Sequence, residues 1–342
     1  MQRVGVLDFL LNEKSVPIID VRSPGEFADG HIPGAINLPL FDDAERAIVG
    51  TTYTQVGRFE AIDTGLEIVG PKMNALAKSA RSFAIHGKLK VHCWRGGMRS
   101  DKMAWLFELI GLQTTVLDGG YKAYRQELLH AFQSLKSLIV LHGPTGSGKT
   151  MILHELAALG EQVLDLEKRA NHKGSAFGAL GMGDQPSTSQ FQNDLFADLL
   201  TFNTTQRIWI ESESMSIGKV YLPQSLWENM NHSAVLEIAV DKSLRIPRVV
   251  EEYGQIDKQL LAGSILKIKD RFGPEKIQHV LMQLNDGKLD EVASMLLDYY
   301  DKTYEFSKVK YKKEVSAVVR SHTGDPRINA LQLLKIADEL KL

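Results

Sequence analysis

A buried-looking apolar run, a glycine loop and a helical pattern follow one another in the middle of this chain. Residues 137–160 read SLIVLHGPTGSGKTMILHELAALG, and the loop fits the spacing G-x-x-x-x-G-K-[ST] of a phosphate-binding loop. A strand before such a loop and a helix after it direct backbone N–H groups toward a phosphate chain at the helix N-terminus. The sequence therefore predicts a P-loop NTPase-like α/β domain with a polyphosphate site.

The predicted phosphate site combines loop residues with candidates from later segments. Lys149 would neutralise phosphate charge and Thr150 could hold Mg²⁺. Strands predicted at 162–167 and 207–214, and a basic loop at 167–178, add candidates, among which Glu211 and Glu213 stand where a Walker-B acidic residue is expected. A solvated loop remains the alternative for 167–178, and the phosphate loop alone does not establish nucleotide hydrolysis. The loop residues are Gly143, Gly146, Ser147, Gly148, Lys149 and Thr150, and the supporting candidates are Asp165, Arg169, His172, Lys173, Glu211 and Glu213.

The chain length of 342 residues is typical of two domains. Short apolar runs at 16–22, 88–94 and 113–120 predict strands, and the segments 73–85 and 99–112 between them have helical periodicity. Alternating strands and helices predict a parallel sheet with helices on both faces. The pattern restarts near 130–137, so we expect domains at 1–132 and 133–342, with a largely helical region from about 241 onward.

The only cysteine of the chain, Cys93, lies at the end of the predicted strand 88–94 and opens a glycine-rich loop within HCWRGGMRS. Loop N–H groups, the positive end of the following helix and two arginines would favour the nucleophilic thiolate. A buried structural cysteine is the alternative. The expected anion-binding residues beside it are Trp94, Arg95, Gly96, Gly97, Arg99 and Ser100.

Residues 5–130 resemble the rhodanese (sulfurtransferase) family. The resemblance rests on IIDVRSPGEFADGHIPGAINLPL at 18–40, on the cysteine loop, and on LDGGYKAYR at 117–125. It implies a rhodanese-like parallel-sheet domain whose loop cysteine carries a sulfur-family atom. Cys93 and Arg99 are separated by five residues, whereas many single-domain rhodaneses have four. The longer loop suggests a tetrahedral, phosphate-like donor.

A rhodanese-like domain followed by a phosphate loop resembles the tRNA 2-selenouridine synthase family over nearly the whole chain. The supporting stretches include ERAIVGTTY, DLEKRANHKGSAFG and IESES. The resemblance implies a selenotransferase that replaces sulfur by selenium in the wobble 2-thiouridine of tRNA, with geranyl diphosphate and selenophosphate as substrates. As a hypothesis of our own, we assign the diphosphate to the phosphate loop and selenium to Cys93, which would attack selenophosphate or carry selenium. No tightly bound cofactor is implied beyond Mg²⁺, and an enzyme that supplies selenophosphate is an expected partner.

The net charge of −2 gives no overall signature of a nucleic-acid-binding protein. Contact with tRNA would need a local patch, and one candidate is the tyrosine-containing cluster Lys308, Lys310, Lys312 and Lys313, whose alternative is a solvated basic face. No apolar run approaches the ~20 residues of a membrane span, so we expect a cytoplasmic protein without membrane contact.

Three other functions remain open from the sequence. The chain could be an ATP-coupled tRNA thiotransferase or kinase, a Cys-x5-Arg phosphatase fused to a nucleotide-binding domain, or a non-catalytic binding protein. A general acid that a cysteine phosphatase needs near its loop is not evident, since Asp101 lies in the predicted helix. Turnover of a nucleotide with and without tRNA would separate the first alternative from a prenyl diphosphate enzyme.

Overall fold

The computed structural model describes residues 1–311 and 315–342, and for residues 307–311 it describes the backbone alone. The predicted patch of Lys308, Lys310, Lys312 and Lys313 lies outside the residues whose side chains are described. The chain divides into two compact units, Met1–Ala131 and Phe132–Leu342.

The first unit is built on a five-stranded sheet with the order β1-β5-β4-β2-β3, in which all neighbouring strands are parallel. Its strands are β1 (Gln2–Val4), β2 (Ile18–Asp20), β3 (Ile36–Asn37), β4 (Lys88–His92) and β5 (Gln113–Leu117). Its helices are α1 (Val6–Leu11), α2 (Pro24–Asp29), α3 (Asp43–Gln55), α4 (Arg58–Val69), α5 (Met73–Phe83), α6 (Met98–Leu109) and α7 (Gly120–Gln133), with a 3₁₀ turn at Gly70–Lys72.

The register of this sheet determines what lies at its carboxyl edge. Asp20, the last residue of β2, is directly opposite His92, the last residue of β4. The segments that leave these two strands therefore meet at one edge of the sheet. Ser23 caps α2, the helix that follows β2. Its hydroxyl accepts a hydrogen bond from the Glu26 N–H, and the Glu26 carboxylate accepts one from the Ser23 N–H, so the helix starts directly after the turn that leaves β2.

The second unit contains a five-stranded parallel sheet with the order β12-β11-β6-β8-β7 and a short antiparallel pair, β9 and β10. The strands are β6 (Leu138–His142), β7 (Gln162–Leu164), β8 (Ile208–Glu211), β9 (Ser216–Ile217), β10 (Val220–Tyr221), β11 (Ala234–Val240) and β12 (Ala317–Ser321). The helices are α8 (Lys149–Ala158), α9 (Leu166–Ala170), α10 (Thr188–Leu199), α11 (Gln224–His232), α12 (Lys242–Tyr253), α13 (Lys258–Leu266), α14 (Lys269–Phe272), α15 (Pro274–Asn285), α16 (Leu289–Tyr311) and α17 (Pro326–Glu339).

The predicted α/β class with parallel sheets and a helical C-terminal region is confirmed, but two local predictions were wrong. The strand expected at 162–167 ends at Leu164, because Asp165 caps a short helix by accepting the Lys168 N–H. That helix, α9, occupies the start of the segment expected to be a loop. The region after 241 also contributes the edge strand β12, which pairs with β11 through long-range contacts.

The helices of the second unit pack into two different hydrophobic clusters. One lies on the sheet, where α8 and α17 cover buried residues of β6, β8 and β11. The other is formed mainly by α13, α15 and α16 together with Phe177. None of the helices within the described residues is long and apolar enough to cross a membrane.

Candidate active sites

The Cys93 loop connects β4 to α6 and is held against the first turn of α7. The N–H of Tyr121 donates to the Cys93 carbonyl over 2.8 Å, and the N–H of Lys122 donates to the Trp94 carbonyl over 2.9 Å. These bonds fix the backbone on the cysteine side of the loop, while the start of α6 at Met98 fixes the other side.

Two glycines permit this close contact between backbones. Gly96 has φ +62°, and a Cβ there would lie 2.7 Å from the Leu117 carbonyl oxygen and 2.8 Å from the Gly119 nitrogen. Gly120 has φ +60°, and a Cβ there would overlap the Cys93 carbonyl and lie 2.9 Å from the Arg95 nitrogen. Both positions therefore require glycine for backbone conformation and for space.

Cys93 is 3% exposed, and its thiol lies 3.2 Å from the hydroxyl of Ser100. That hydroxyl also donates to the Gly97 carbonyl over 2.9 Å, so Ser100 links the thiol to the loop. The next two residues of the loop, Trp94 and Arg95, are exposed to solvent. The six residues predicted beside Cys93 thus lie together in this loop and the first turn of α6: Trp94, Arg95, Gly96, Gly97, Arg99 and Ser100.

Arg99 points to a carboxylate rather than solvent. Its guanidinium donates to both oxygens of Glu26, at 2.6 and 3.3 Å. Burial of Glu26 would raise the pKa of its carboxyl, but the hydrogen bond and charge of Arg99 outweigh burial and hold that pKa below its usual range. Glu26 therefore orients Arg99 beside the loop. The rhodanese-like motif includes Glu26, but no role for this residue was predicted from the sequence.

Buried charges lie behind the cysteine loop. Asp20 and Arg22, 0% and 1% exposed, form an ion pair over 2.6 Å, and the Arg22 guanidinium lies 4.0 Å from the centre of the Tyr121 ring. Burial would raise the pKa of Asp20, but His92 and Arg22 lower it. This pair joins the end of β2 to the start of α7, which holds the cysteine loop.

The phosphate loop of the second unit joins β6, all of whose residues are buried, to α8. Gly146 and Gly148 adopt φ +76° and +83°, which turns the loop around the helix N-terminus. The Lys149 ammonium donates to the Gly143 carbonyl over 2.9 Å, and Ser147 is completely buried. All six predicted loop residues therefore lie in one cradle at the start of α8.

Acidic residues surround Thr150. Its hydroxyl donates to Glu167 over 2.8 Å, and the Glu167 N–H donates to Glu211 over 2.7 Å. Burial raises the pKa of Glu167 despite the Thr150 bond and Lys149, and burial together with the charge of Asp165 raises the pKa of Glu211 well above its usual range. Glu211 thus lies at the end of β8, where a Walker-B residue was predicted, in an environment that disfavours its charged form.

Helix α12 supplies two arginines that the sequence did not identify as site residues. Arg245 is buried, pairs with both oxygens of Asp301 at 2.8 and 2.7 Å, and donates to the Thr145 carbonyl. Arg248 donates to the Gly146 carbonyl over 3.0 Å and lies against Gly148. Their distance along the chain from the loop, about 100 residues, left no local signal.

The remaining predicted residues divide into two groups. Asp165, Lys173 and Glu213 line the cavity at the phosphate loop. Arg169 and His172 are not among its lining residues: Arg169 pairs with Asp198, and His172 is 8% exposed and accepts the Gly174 N–H over 3.2 Å. The structure therefore gives these two residues structural contacts in the segment around α9.

The cavity at the phosphate loop has a volume of about 870 Å³. Gly146, Lys149 and Thr150 line it at the loop, whereas Leu261 and Leu296 line it from α13 and α16. One cavity thus joins a cationic cradle to apolar side chains. Within the described residues no group of three or more His, Cys, Asp and Glu side chains forms a metal-binding cluster.

Comparison with known families matches both units. The model of the rhodanese-like domain matches residues 5–127, and the model of the tRNA 2-selenouridine synthase AAA domain matches residues 136–325. The two matches confirm the predicted resemblance to rhodaneses and the predicted phosphate-loop fold.

Curated relatives match across both units. Proteins named tRNA 2-selenouridine synthase from Bordetella bronchiseptica and Shewanella denitrificans are 34% and 33% identical, over 90% and 85% of this chain and 91% and 88% of theirs. The protein of the same name from Nitrosomonas europaea is 39% identical over 69% of this chain, and that match spans 63% of its own length.

Proposed function

Since the chain belongs to the tRNA 2-selenouridine synthases, a family of tRNA-modifying enzymes, we propose that its two anion sites perform two successive reactions on one tRNA base. In the first, the phosphate-loop unit transfers a geranyl group from geranyl diphosphate to the sulfur of wobble 2-thiouridine. In the second, the cysteine-loop unit uses selenophosphate to replace the alkylated sulfur by selenium.

Geranyl transfer uses the residues of the phosphate cradle. The thiouridine sulfur attacks the first carbon of the geranyl chain, the carbon–oxygen bond breaks, pyrophosphate leaves and the base loses the N3 proton. Lys149, Arg248 and the loop N–H groups would stabilise the negative charge of pyrophosphate as it departs. The observation that supports a prenyl diphosphate over a nucleotide is the continuity of this cradle with an apolar cavity.

Mg²⁺ fits the phosphate cradle as an aid to pyrophosphate departure. Mg²⁺ in proteins usually keeps several waters and takes one or two protein ligands besides the phosphates. The Thr150 hydroxyl and the Glu167 carboxylate, 2.8 Å apart, offer such ligands. The ion would neutralise phosphate charge, while Lys149 and Arg248 orient the diphosphate.

Selenium entry uses the Cys93 loop. Alkylation turns the thiocarbonyl sulfur into a thioether, which leaves as geranyl thiol after selenium adds at the ring carbon. Water cleaves the phosphorus–selenium bond and releases phosphate, so the overall reaction needs no added oxidant or reductant. The loop N–H groups and Arg95 would hold the phosphate group of the donor beside the Cys93 thiol, and Arg99, held by Glu26, would complete the cradle.

The proposed substrates imply partners and a location. We infer that tRNA carrying 2-thiouridine at the wobble position is the acceptor, that an enzyme making selenophosphate supplies the donor, and that the reaction takes place in the cytoplasm. An ATP-coupled thiotransferase is the second candidate, favoured by the phosphate loop alone. It predicts tRNA-dependent nucleotide turnover, which the prenyl diphosphate reaction does not.

The direct test is incubation of the protein with 2-thiouridine tRNA, geranyl diphosphate and selenophosphate, followed by mass spectrometry of the nucleosides. We expect S-geranyl-2-thiouridine without selenophosphate and 2-selenouridine with it. Recovery of unmodified 2-thiouridine under both conditions would overturn the proposal. In a parallel incubation with ATP in place of geranyl diphosphate, tRNA-dependent ATP consumption would favour the second candidate.

A further inference from the structure

The apolar part of the cavity at the phosphate loop belongs to a hydrophobic cluster separate from the sheet core. Its wall, which we call the helical wall, comes from α13, α15 and α16, and each of its residues is less than 9% exposed. No charged side chain is part of it. The helical wall consists of Leu261, Ile265, Leu284, Val292 and Leu296.

The helical wall is backed by further apolar packing. Ile277 and Val280, 4% and 0% exposed, belong to the same cluster but do not line the cavity. Protein interiors are close-packed, with few voids larger than a water molecule. The cavity of about 870 Å³ beside this cluster has a volume within the ~300–1,000 Å³ of small-molecule sites. One of its sides is formed by the tightly packed apolar residues of the cluster.

The lining decides which ligand fits. A nucleotide whose ribose or base lay against the helical wall would bury hydroxyls and ring nitrogens against side chains that cannot hydrogen-bond them, which is unfavourable. A hydrocarbon chain has no such groups. Tyr253 lies between the two environments: Lys173 is 5.5 Å from its ring centre, and the Phe177 ring is 6.0 Å away on the apolar side.

We propose that the helical wall binds the hydrocarbon chain of the prenyl diphosphate and selects its length. The inference rests on the proposed function and adds the residues that choose among prenyl donors. Each buried methylene strengthens binding by about fourfold, so a ten-carbon chain binds more tightly than a five-carbon chain, by up to about 10³-fold if the extra unit is fully buried. Because packed residues lie behind the wall, we expect the additional unit of a fifteen-carbon chain to add less than this.

The test compares dimethylallyl, geranyl and farnesyl diphosphates by calorimetric binding to the full chain and by transfer to 2-thiouridine tRNA. Leu284→Ala enlarges the cavity at α15, and Ala293→Leu fills it at α16, where Ala293 is 3% exposed and lines the cavity. Ile277→Ala is the matched control for the first, since it truncates a residue of the same helix and cluster behind the wall. Ala262→Leu, in α13 and outside the lining, is the control for the second.

We expect Leu284→Ala to raise the farnesyl-to-geranyl affinity ratio by about tenfold and Ala293→Leu to lower the geranyl-to-dimethylallyl ratio by about tenfold. Both controls keep the wild-type ratios. Thermal unfolding identifies a variant that is not folded. Leu296→Val, which removes one methylene from the same wall, then takes the place of Leu284→Ala, and Ala293→Val, a smaller enlargement of the same side chain, takes the place of Ala293→Leu.

Two failures are distinguishable. If the wild-type chain transfers geranyl but the wall variants keep the chain-length ratios of their controls, the helical wall does not bind the chain and the proposed function stands. If the wild-type chain binds none of the three prenyl diphosphates, the proposed function itself is overturned.

Discussion

Substitution of Gly120 by alanine should disable the cysteine loop selectively. A Cβ at this position would overlap the Cys93 carbonyl and lie 2.9 Å from the Arg95 nitrogen. Ordinary carbon contacts are about 3.5–4.0 Å, and backbone atoms cannot rotate away as a side chain can. The loop must therefore move by about 1 Å, a displacement that can cost on the order of 10²-fold in rate when it affects reacting groups.

Gly87→Ala provides the matched control for Gly120→Ala. Gly87 has φ +71° in the same unit, close to the φ +60° of Gly120, but a Cβ there meets no atom within 4 Å. Both variants place alanine in a left-handed backbone conformation, which costs each of them about 1–2 kcal/mol of conformational energy. Only Gly120→Ala adds the overlap with the loop, so the difference between the two variants isolates the displacement of Cys93.

The assay uses tRNA that already carries S-geranyl-2-thiouridine, and it follows formation of 2-selenouridine from selenophosphate by mass spectrometry. We expect selenium incorporation to fall about 10²-fold in Gly120→Ala and to remain near wild type in Gly87→Ala. Geranylation of 2-thiouridine tRNA remains intact in both. A folded Gly120→Ala variant with wild-type selenium incorporation would refute the claim that the first turn of α7 fixes the loop.

Further predictions concern three polar contacts. Glu26→Gln should lower the free energy of unfolding near neutral pH by about 1–3 kcal/mol. Arg99 depresses the folded pKa of Glu26 in spite of burial. The contribution of Glu26 to stability is therefore present above the unfolded pKa of about 4.3 and disappears as pH falls through the folded pKa. Free energies of unfolding from urea titrations of wild type and Glu26→Gln should therefore become equal in acid. Arg248→Gln should weaken pyrophosphate binding by about tenfold or more, measured by calorimetry, and unchanged affinity would remove Arg248 from the cradle. Glu211→Gln should destabilise the protein less than Glu211→Ala, because burial and the charge of Asp165 raise the pKa of Glu211 and favour its uncharged form. Glu211→Ala leaves the Glu167 N–H without its acceptor and should lose about 1–3 kcal/mol, and equal losses of the two variants in thermal unfolding would contradict this reasoning.

The parts of the fold and sites that depend on neighbouring residues were predictable from the sequence. The phosphate loop and the Cys93 loop each lie between a strand and a helix, so spacing along the chain determines which residues meet. Gly96, Gly146 and Gly148 adopt positive φ within these loops, as glycine-rich turns require. The two family matches, over residues 5–127 and 136–325, each include one of these loops.

The features that depend on distant residues were not predictable. β12 is an edge strand whose partner β11 lies about 80 residues earlier in the chain. The segment lies within a charged, largely helical region of the sequence, so it was not recognised as a strand. Arg245 and Arg248 reach the phosphate loop only because α12 packs against it. The helical wall has the same origin, since residues of α13, α15 and α16 look like ordinary core positions until the helices are assembled.

Arg169 and His172 show how contacts made in the folded chain differ from what residue type suggests. Their basic character and their position after a strand suggested contact with an anion, but Arg169 in α9 pairs with Asp198, and His172, just beyond α9, is buried. Side-chain direction at such a position depends on whether the residue lies in a helix or a loop.

The most direct test of two sites with separate chemistry measures both half-reactions in Cys93→Ser and Lys149→Ala. Each variant receives 2-thiouridine tRNA with geranyl diphosphate and, separately, S-geranylated tRNA with selenophosphate, and the nucleosides are identified by mass spectrometry. We predict complementary losses: Lys149→Ala fails to geranylate but incorporates selenium, and Cys93→Ser geranylates but does not incorporate selenium. Loss of both reactions in either folded variant would contradict the division of chemistry between the two sites.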